Sequence, residues 1–187
     1  MVSKLTVFAV QVTGLAVLLS LLYFWKGLPL AAITALVWLD KAVLVHAKIT
    51  PYFGVELLVM PTILAGLHYG AVFGFLYGFV AIPLFGGFIE MLSWIISPPI
   101  NVDWPPLLPS HHSLSWGLAG LVAGLLGTAL PFVIVAAASA AAKNVVEYFL
   151  VSVSSDDPVG PSQVLNIIYI VLFAVFVERY FSWLLPA

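Results

Sequence analysis

The chain contains no cysteine and very little charge. The lack of cysteine excludes disulfide bonds, thiolate metal sites and cysteine nucleophiles. Charged residues make up 7% of the 187 residues and hydrophobic residues 63%, whereas soluble domains carry roughly 25% charged residues. No fold of this length hides so much apolar surface from water, so the composition predicts an integral membrane protein with a single domain over residues 1–187.

Motifs for catalysis and for nucleotide binding are also missing. The chain has neither a G-x-S-x-G nucleophile motif nor a G-x-x-x-x-G-K nucleotide loop. A formal net charge of −2 provides no basic surface for nucleic acid. We therefore expect no enzymatic activity, no cofactor and no nucleic-acid partner. Any transport would need a separate ATPase or an ion gradient.

The four histidines do not have the spacing of a metal site. None forms a His-x-x-His or His-Glu-x-x-His pattern, so no metal is expected. His111 and His112 are adjacent, and on a helix we expect their side chains to diverge. They end a segment, residues 97–112, that contains five prolines. Such a segment forbids a regular helix and is either an inert connection or a lid.

Seven apolar segments are predicted to be membrane helices, because lipid offers no partner for exposed backbone groups. Residues 5–25 form an additional N-terminal helix, and six helices follow within residues 28–185. A kink is expected in the fourth helix, at Pro83 and the Gly86-Gly87 pair. The prediction is an all-α bundle of six to seven membrane helices in a multi-pass protein of the cell membrane. The predicted spans are 5–25, 28–47, 57–69, 70–94, 113–130, 132–153 and 164–185.

Glycine recurs at helical spacing in two of these regions. A glycine face lets another helix backbone approach closely, which is how helices associate in lipid. We therefore predict that Gly70, Gly74, Gly117 and Gly124 lie at helix–helix contacts. The two series consist of Gly66, Gly70, Gly74 and Gly78, and of Gly117, Gly120, Gly124 and Gly127.

Ionisable residues inside apolar spans are the strongest functional signal, since they are rare there and usually face the bundle interior. Glu56 and Glu90 flank the glycine-rich segment and are our preferred site carboxylates. His68 and Trp104 complete the set of candidate substrate-binding residues. A different assignment applies to Lys143 and Glu147, whose spacing of four residues predicts an ion pair on one helix face.

Three features from residue 31 onward resemble a known family. Ala31-x-x-x-Ala35 lies near the start of a span, and LLVMPTILAGLHYGAVFGFLYG follows at residues 57–78. The chain then reads IPLFGG. These features resemble the substrate-binding S subunits of energy-coupling factor vitamin transporters, and most closely the biotin-binding members. The resemblance implies a six-helix fold that captures a small hydrophilic, vitamin-like molecule. It also implies docking through Ala31 and Ala35 onto a scaffold protein that carries ATPases.

A second interpretation fits the same features. Dense faces of small residues without a catalytic motif are also typical of a structural or accessory subunit of a larger membrane complex. Both interpretations require other integral membrane proteins as partners, together with the lipid bilayer. A hydrated pocket near Glu56 favours the transporter subunit, and an apolar interior with few polar groups favours the accessory subunit.

Overall fold

The computed structural model describes residues 4–44, 57–94, 110–154 and 161–186, and every regular element within these ranges is helical. This confirms the all-α prediction. The helices in this part of the chain are α1 (Lys4–Lys26), α2 (Leu28–Leu39), α3 (Val59–Tyr69), α4 (Ala71–Leu76), α5 (Ile82–Trp94), α6 (His111–Leu126), α7 (Phe132–Ser154) and α8 (Pro161–Tyr180). A π-helical turn at Asp40–Leu44 continues α2, and another at Tyr77–Ala81 joins α4 to α5.

Three helical segments of the described chain are long and apolar enough to cross a membrane. They are Phe8–Lys26, Ala71–Leu92 and Phe132–Leu150. Apolar helices of this length indicate membrane association. The predicted number of six to seven spans stays a prediction, as does the multi-pass topology.

Two glycines allow the chain to leave one helix and enter the next. Gly27 between α1 and α2 has φ of 83°, and Gly70 between α3 and α4 has φ of 89°. Residues with a Cβ atom rarely adopt this left-handed region. A Cβ atom added at Gly70 would contact no neighbour. The backbone of Gly70 nevertheless lies at a helix contact, because its carbonyl carbon would be 2.7 Å from a Cβ atom added at Gly124. The predicted contact is confirmed for the backbone of Gly70, and its missing Cβ atom serves the turn.

The predicted kink in the fourth span has a specific form. Pro83 has no N–H to donate to the carbonyl group four residues earlier, and its ring clashes with that group. The helix widens into the π turn Tyr77–Ala81 just before this position, which accommodates the missing bond. Gly86 and Gly87 remain within regular helix and are buried. The irregularity therefore arises at the proline alone.

The core of the bundle lies around α3 and α6. Every residue of α3 from Val59 to Gly66 is buried, as expected for a helix that is covered on all sides. Helix α6 packs against α3, α4 and α7, and α8 packs on α7. By contrast, α1 contacts mainly α2 and is buried over only 6% of its spanning segment. Helix α1 is thus a peripheral addition to the bundle.

The two glycine series meet each other at the centre. A Cβ atom added at Gly74 would lie 2.6 Å from Gly120 O and 2.6 Å from Gly66 Cα, and one added at Gly78 would lie 2.6 Å from Gly117 N. The Gly124 position abuts the backbone of Ala71. These distances are below any normal contact, so α3, α4 and α6 approach backbone to backbone. The prediction is confirmed for Gly74, Gly117 and Gly124.

Candidate functional site

The first turn of α6 is fixed by a capping box. Ser110 is the N-cap, its Oγ accepts a hydrogen bond from Ser113 N at 3.4 Å, and Ser113 Oγ in turn accepts one from Ser110 N. Two N–H groups that the helix leaves without partners are thereby satisfied. The cap sets the start of the helix at His111 and so holds the neighbouring His112 at the edge of the bundle.

Helix α7 places three polar side chains on one buried stripe. Ser139, Lys143 and Glu147 follow each other at intervals of four residues, which places them one above the other on a helix face. Their exposed fractions are 0%, 2% and 6%. Lys143 also lies near the middle of the candidate span Phe132–Leu150. A lysine at that depth is costly unless it is paired, so the stripe is an unusual feature of the molecule.

Glu147 connects the two ends of this arrangement. Its Oε1 lies 2.6 Å from His112 Nδ1, and its Oε2 forms an ion pair with Lys143 Nζ. The predicted Lys143–Glu147 pair is therefore confirmed. The side chain of His112 is 44% exposed, so it forms the outer end of the connected groups. We call Ser139, Lys143, Glu147 and His112 the polar track.

The inner end of the polar track has spare hydrogen-bonding capacity. Ser139 Oγ is fully buried and has no hydrogen-bond partner within the part of the chain that the structure describes. Leaving a buried hydroxyl without a partner costs about 1–3 kcal/mol. From Glu147 to Ser139 the track extends about 12 Å along α7. Buried groups that are not satisfied are expected where a ligand or water binds.

A second polar contact ties α7 to α8 beside the track. Asn144 Nδ2 donates to Asn166 Oδ1 at 3.5 Å, and both side chains are buried. Asn144 follows Lys143 directly in the chain, so this contact joins α8 to α7 beside the polar track.

His111 lies next to the outer end of the track. Its ring centroid is 4.0 Å from that of His112, so the expectation that the two rings diverge was wrong. Partial burial, followed by the charge of His112, lowers the pKa of His111 below its ordinary value of about 6.5. His111 places a second imidazole beside the exposed end of the polar track.

Of the four substrate-binding residues predicted from the sequence, the structure describes Glu90 and His68, and these two do not come together. Glu56 and Trp104 lie outside the described residues. Glu90 Oε2 forms an ion pair with Lys41 Nζ at 2.9 Å, which joins the end of α5 to the π turn after α2. A Cβ atom at Gly86 would lie 3.3 Å from Lys41 Cγ, so that glycine makes room for the lysine.

His68 occupies the other end of the bundle. Its Nε2 contacts the carbonyl oxygen of Leu184 in the 3₁₀ turn Ser182–Leu184. Glu90 follows the Gly70 turn by 20 residues, which corresponds to about 30 Å of helix. His68 therefore anchors the C-terminal segment in this structure and does not share a site with Glu90.

The predicted docking residues are partly covered by the chain itself. Ala31 is 7% exposed, and Ala35 is half-buried. In the isolated chain Ala31 thus offers little surface to a partner, whereas Ala35 offers some. A docking surface on α2 would have to centre on Ala35 and its exposed neighbours.

The polar track combines a predicted pair with residues that the sequence did not single out. Ser139 lies four residues before Lys143, at the same spacing that predicted the Lys143–Glu147 pair, but it was not included in that prediction. His112 was missed as a partner because it is 35 residues from Glu147 and on another helix. The described residues contain no group of three or more metal-ligating side chains arranged to hold a metal ion.

Comparisons with protein-family models, with curated proteins and with solved structures found no match for this chain.

Proposed function

We propose that this chain is the substrate-binding membrane subunit of a multi-subunit transporter, and that it binds a small hydrophilic molecule at the polar track. The observation that carries the proposal is the buried stripe of Ser139, Lys143 and Glu147 with His112 at its outer end. Ionisable groups at membrane depth usually mark the path of a substrate or ion.

The arrangement suits a polar ligand because it places a hydrogen-bond donor and an acceptor of opposite charge side by side. Lys143 has three N–H donors, and Glu147 has several acceptor positions on its two oxygens. A polar molecule entering past His112 would exchange hydrogen bonds with these groups and reach the Ser139 hydroxyl. Such exchange avoids the cost of taking a polar molecule out of water without new partners.

The wider assembly is part of the same proposal. The chain has no nucleotide loop, so energy for transport comes from a partner. The resemblance to S subunits of energy-coupling factor transporters supports a scaffold protein with attached ATPases as that partner. Small residues on α2, centred on Ala35, are the proposed docking surface. The vitamin-like nature of the ligand rests on the resemblance alone.

The accessory subunit is the competing function, and the glycine contacts between α3, α4 and α6 favour it to the extent that they build a rigid framework. It predicts a permanent partner with a large interface and no bound small molecule. In that case the polar track only stabilises the bundle.

Analysis of bound small molecules distinguishes the two functions. The wild-type protein and the double variant Lys143→Met with Glu147→Leu are purified in mild detergent from the same cells and then denatured. We expect mass spectrometry of the released fraction to find one hydrophilic compound at close to one molecule per wild-type chain. The double variant should lack it, because both charged groups of the track are gone.

Co-purifying proteins are identified in the same preparations. Recovery of a membrane scaffold with an ATPase supports the transporter subunit. Identical small-molecule fractions from both proteins, together with a partner that stays bound throughout, would support the accessory subunit and contradict the proposal.

A further inference from the structure

Two apolar crevices run along α1 on the side that faces the rest of the bundle. The first has a volume of about 320 Å³ and the second about 350 Å³. Leu18 and Phe85 line both crevices, so the two are adjacent, and we call them together the groove between α1, α2 and α5. The groove reaches from Val10 to Trp25, which is about 22 Å along the helix.

Three of the polar side chains in the groove already form hydrogen bonds within the protein. Gln11 Nε2 donates to Ile89 O at 3.4 Å, and the hydroxyl groups of Thr34 and Tyr77 share a hydrogen bond of 3.2 Å. Trp38 Nε1 is buried and has no hydrogen-bond partner among the described residues. A hydrophilic molecule would therefore replace few of its bonds to water there. The groove therefore suits an apolar occupant, in contrast to the polar track.

Neither crevice can enclose a helix from a partner protein. A helix about 10 Å wide and 22 Å long occupies roughly 1,700 Å³, so a partner helix would lie over the groove and leave its inner part unfilled. Each crevice holds roughly ten to twelve groups of the size of a water molecule or a methylene. The length is sufficient for a chain that crosses one lipid leaflet, roughly 15 Å. A narrow apolar groove of this length accommodates a single acyl chain.

A cation lies at the end of the groove where a lipid headgroup would be. Trp25 lines the second crevice, and Lys26 Nζ lies 5.4 Å from the centroid of its ring. Both side chains are exposed. Tryptophan beside lysine at the end of a membrane span is typical of the interface with lipid headgroups. The charge of Lys26 favours an anionic headgroup.

We propose that the groove binds one acyl chain of an anionic phospholipid, with the phosphate of that lipid at Lys26. The lipid fills the gap between the peripheral α1 and the bundle. It would hold α1 in place, because α1 has little buried surface of its own. This site is separate from the polar track, so it does not depend on the proposed transport function.

Native mass spectrometry of the detergent-solubilised protein tests the proposal with phosphatidylglycerol and phosphatidylcholine of identical chains. We expect one phosphatidylglycerol per wild-type chain, bound about fivefold more tightly than phosphatidylcholine, since one lysine contributes about that factor near a lipid surface. Lys26→Gln should remove the preference and keep the binding.

A filling variant tests the groove itself. A Cβ atom at Gly14 would meet no neighbour, and Gly14 lines the first crevice. The Gly14→Phe variant should therefore fold normally and bind both lipids about tenfold more weakly, which is the effect of displacing roughly two buried methylene groups. Ala16→Phe is the matched control, because Ala16 is exposed on the same helix and does not line the groove. Leu18→Trp blocks both crevices as a second filling variant.

Three results would overturn the proposal. The first is a wild-type protein that retains no lipid above the level of random detergent exchange. The second is equal loss of lipid in Gly14→Phe and Ala16→Phe, with unchanged circular dichroism in both. The third is a second membrane protein that co-purifies with the wild type and is lost in Gly14→Phe, which would make the groove a protein interface.

Discussion

Replacing Lys143 with methionine should lower the free energy of unfolding by about 3–5 kcal/mol, because it leaves the Glu147 carboxylate buried without its ammonium partner. Lys143 is 2% exposed, so the pair has little contact with bulk solvent. Glu147→Leu should also lower the free energy of unfolding, since it removes the carboxylate that pairs with the buried ammonium group of Lys143. Unfolding in mixed detergent micelles, followed by far-ultraviolet circular dichroism, measures both effects.

The double variant Lys143→Met with Glu147→Leu is the decisive control. Replacing a buried ion pair by apolar residues of similar volume is often neutral or stabilising. We expect this variant to regain the stability of the wild type to within about 1 kcal/mol, because no isolated charge remains buried. His112 is 44% exposed and keeps access to water when Glu147 is gone. If the two single losses simply add in the double variant, the side chains do not form the pair described.

Replacing Gly74 with alanine should lower the stability by about 1–3 kcal/mol, which is the usual effect of overpacking. The added Cβ atom would lie 2.6 Å from Gly120 O and 2.6 Å from Gly66 Cα. Both atoms belong to the backbone of packed helices, so neither moves aside without separating α3, α4 and α6.

The matched control is Gly14→Ala, where a Cβ atom has no neighbour within 4 Å. Alanine is favoured over glycine inside a helix by about 1 kcal/mol. The two substitutions should therefore shift the melting temperature in detergent in opposite directions. Equal shifts in the same direction would contradict the backbone contact of the glycine series.

Features within one helix could be predicted from the sequence, because helical spacing alone determines which residues share a face. The Lys143–Glu147 pair and the inward position of Gly74, Gly117 and Gly124 are of this kind. The face that a glycine occupies does not reveal its partner, so the meeting of the two glycine series was not predicted. The additional role of Gly70 in the turn was not predicted, because a turn and a packing contact have the same sequence signal.

Contacts between helices that are distant in sequence were the part that the sequence could not supply. Lys41 and Glu90 are 49 residues apart, and Glu90 was predicted as a ligand-binding carboxylate, whereas the structure pairs it with the lysine. The contact of His112 with Glu147 is of the same kind. Such pairs depend on which helix faces pack together, and a single sequence does not show this. Helix α6 begins at His111, before the predicted start at residue 113, because Ser110 caps the helix at that point.

Labelling by a water-soluble thiol reagent tests whether hydrophilic molecules reach the inner end of the polar track. The natural chain has no cysteine, so Ser139→Cys and Ala136→Cys each introduce a single reactive site. Both positions are 0% exposed on α7, but Ala136 belongs to the apolar core and Ser139 to the polar track. Intact membranes are treated with a small, membrane-impermeant methanethiosulfonate. We expect the Ser139→Cys variant to be labelled and the Ala136→Cys variant to remain unlabelled. Labelling of neither cysteine, or of both at the same rate, would contradict a polar track that admits hydrophilic molecules.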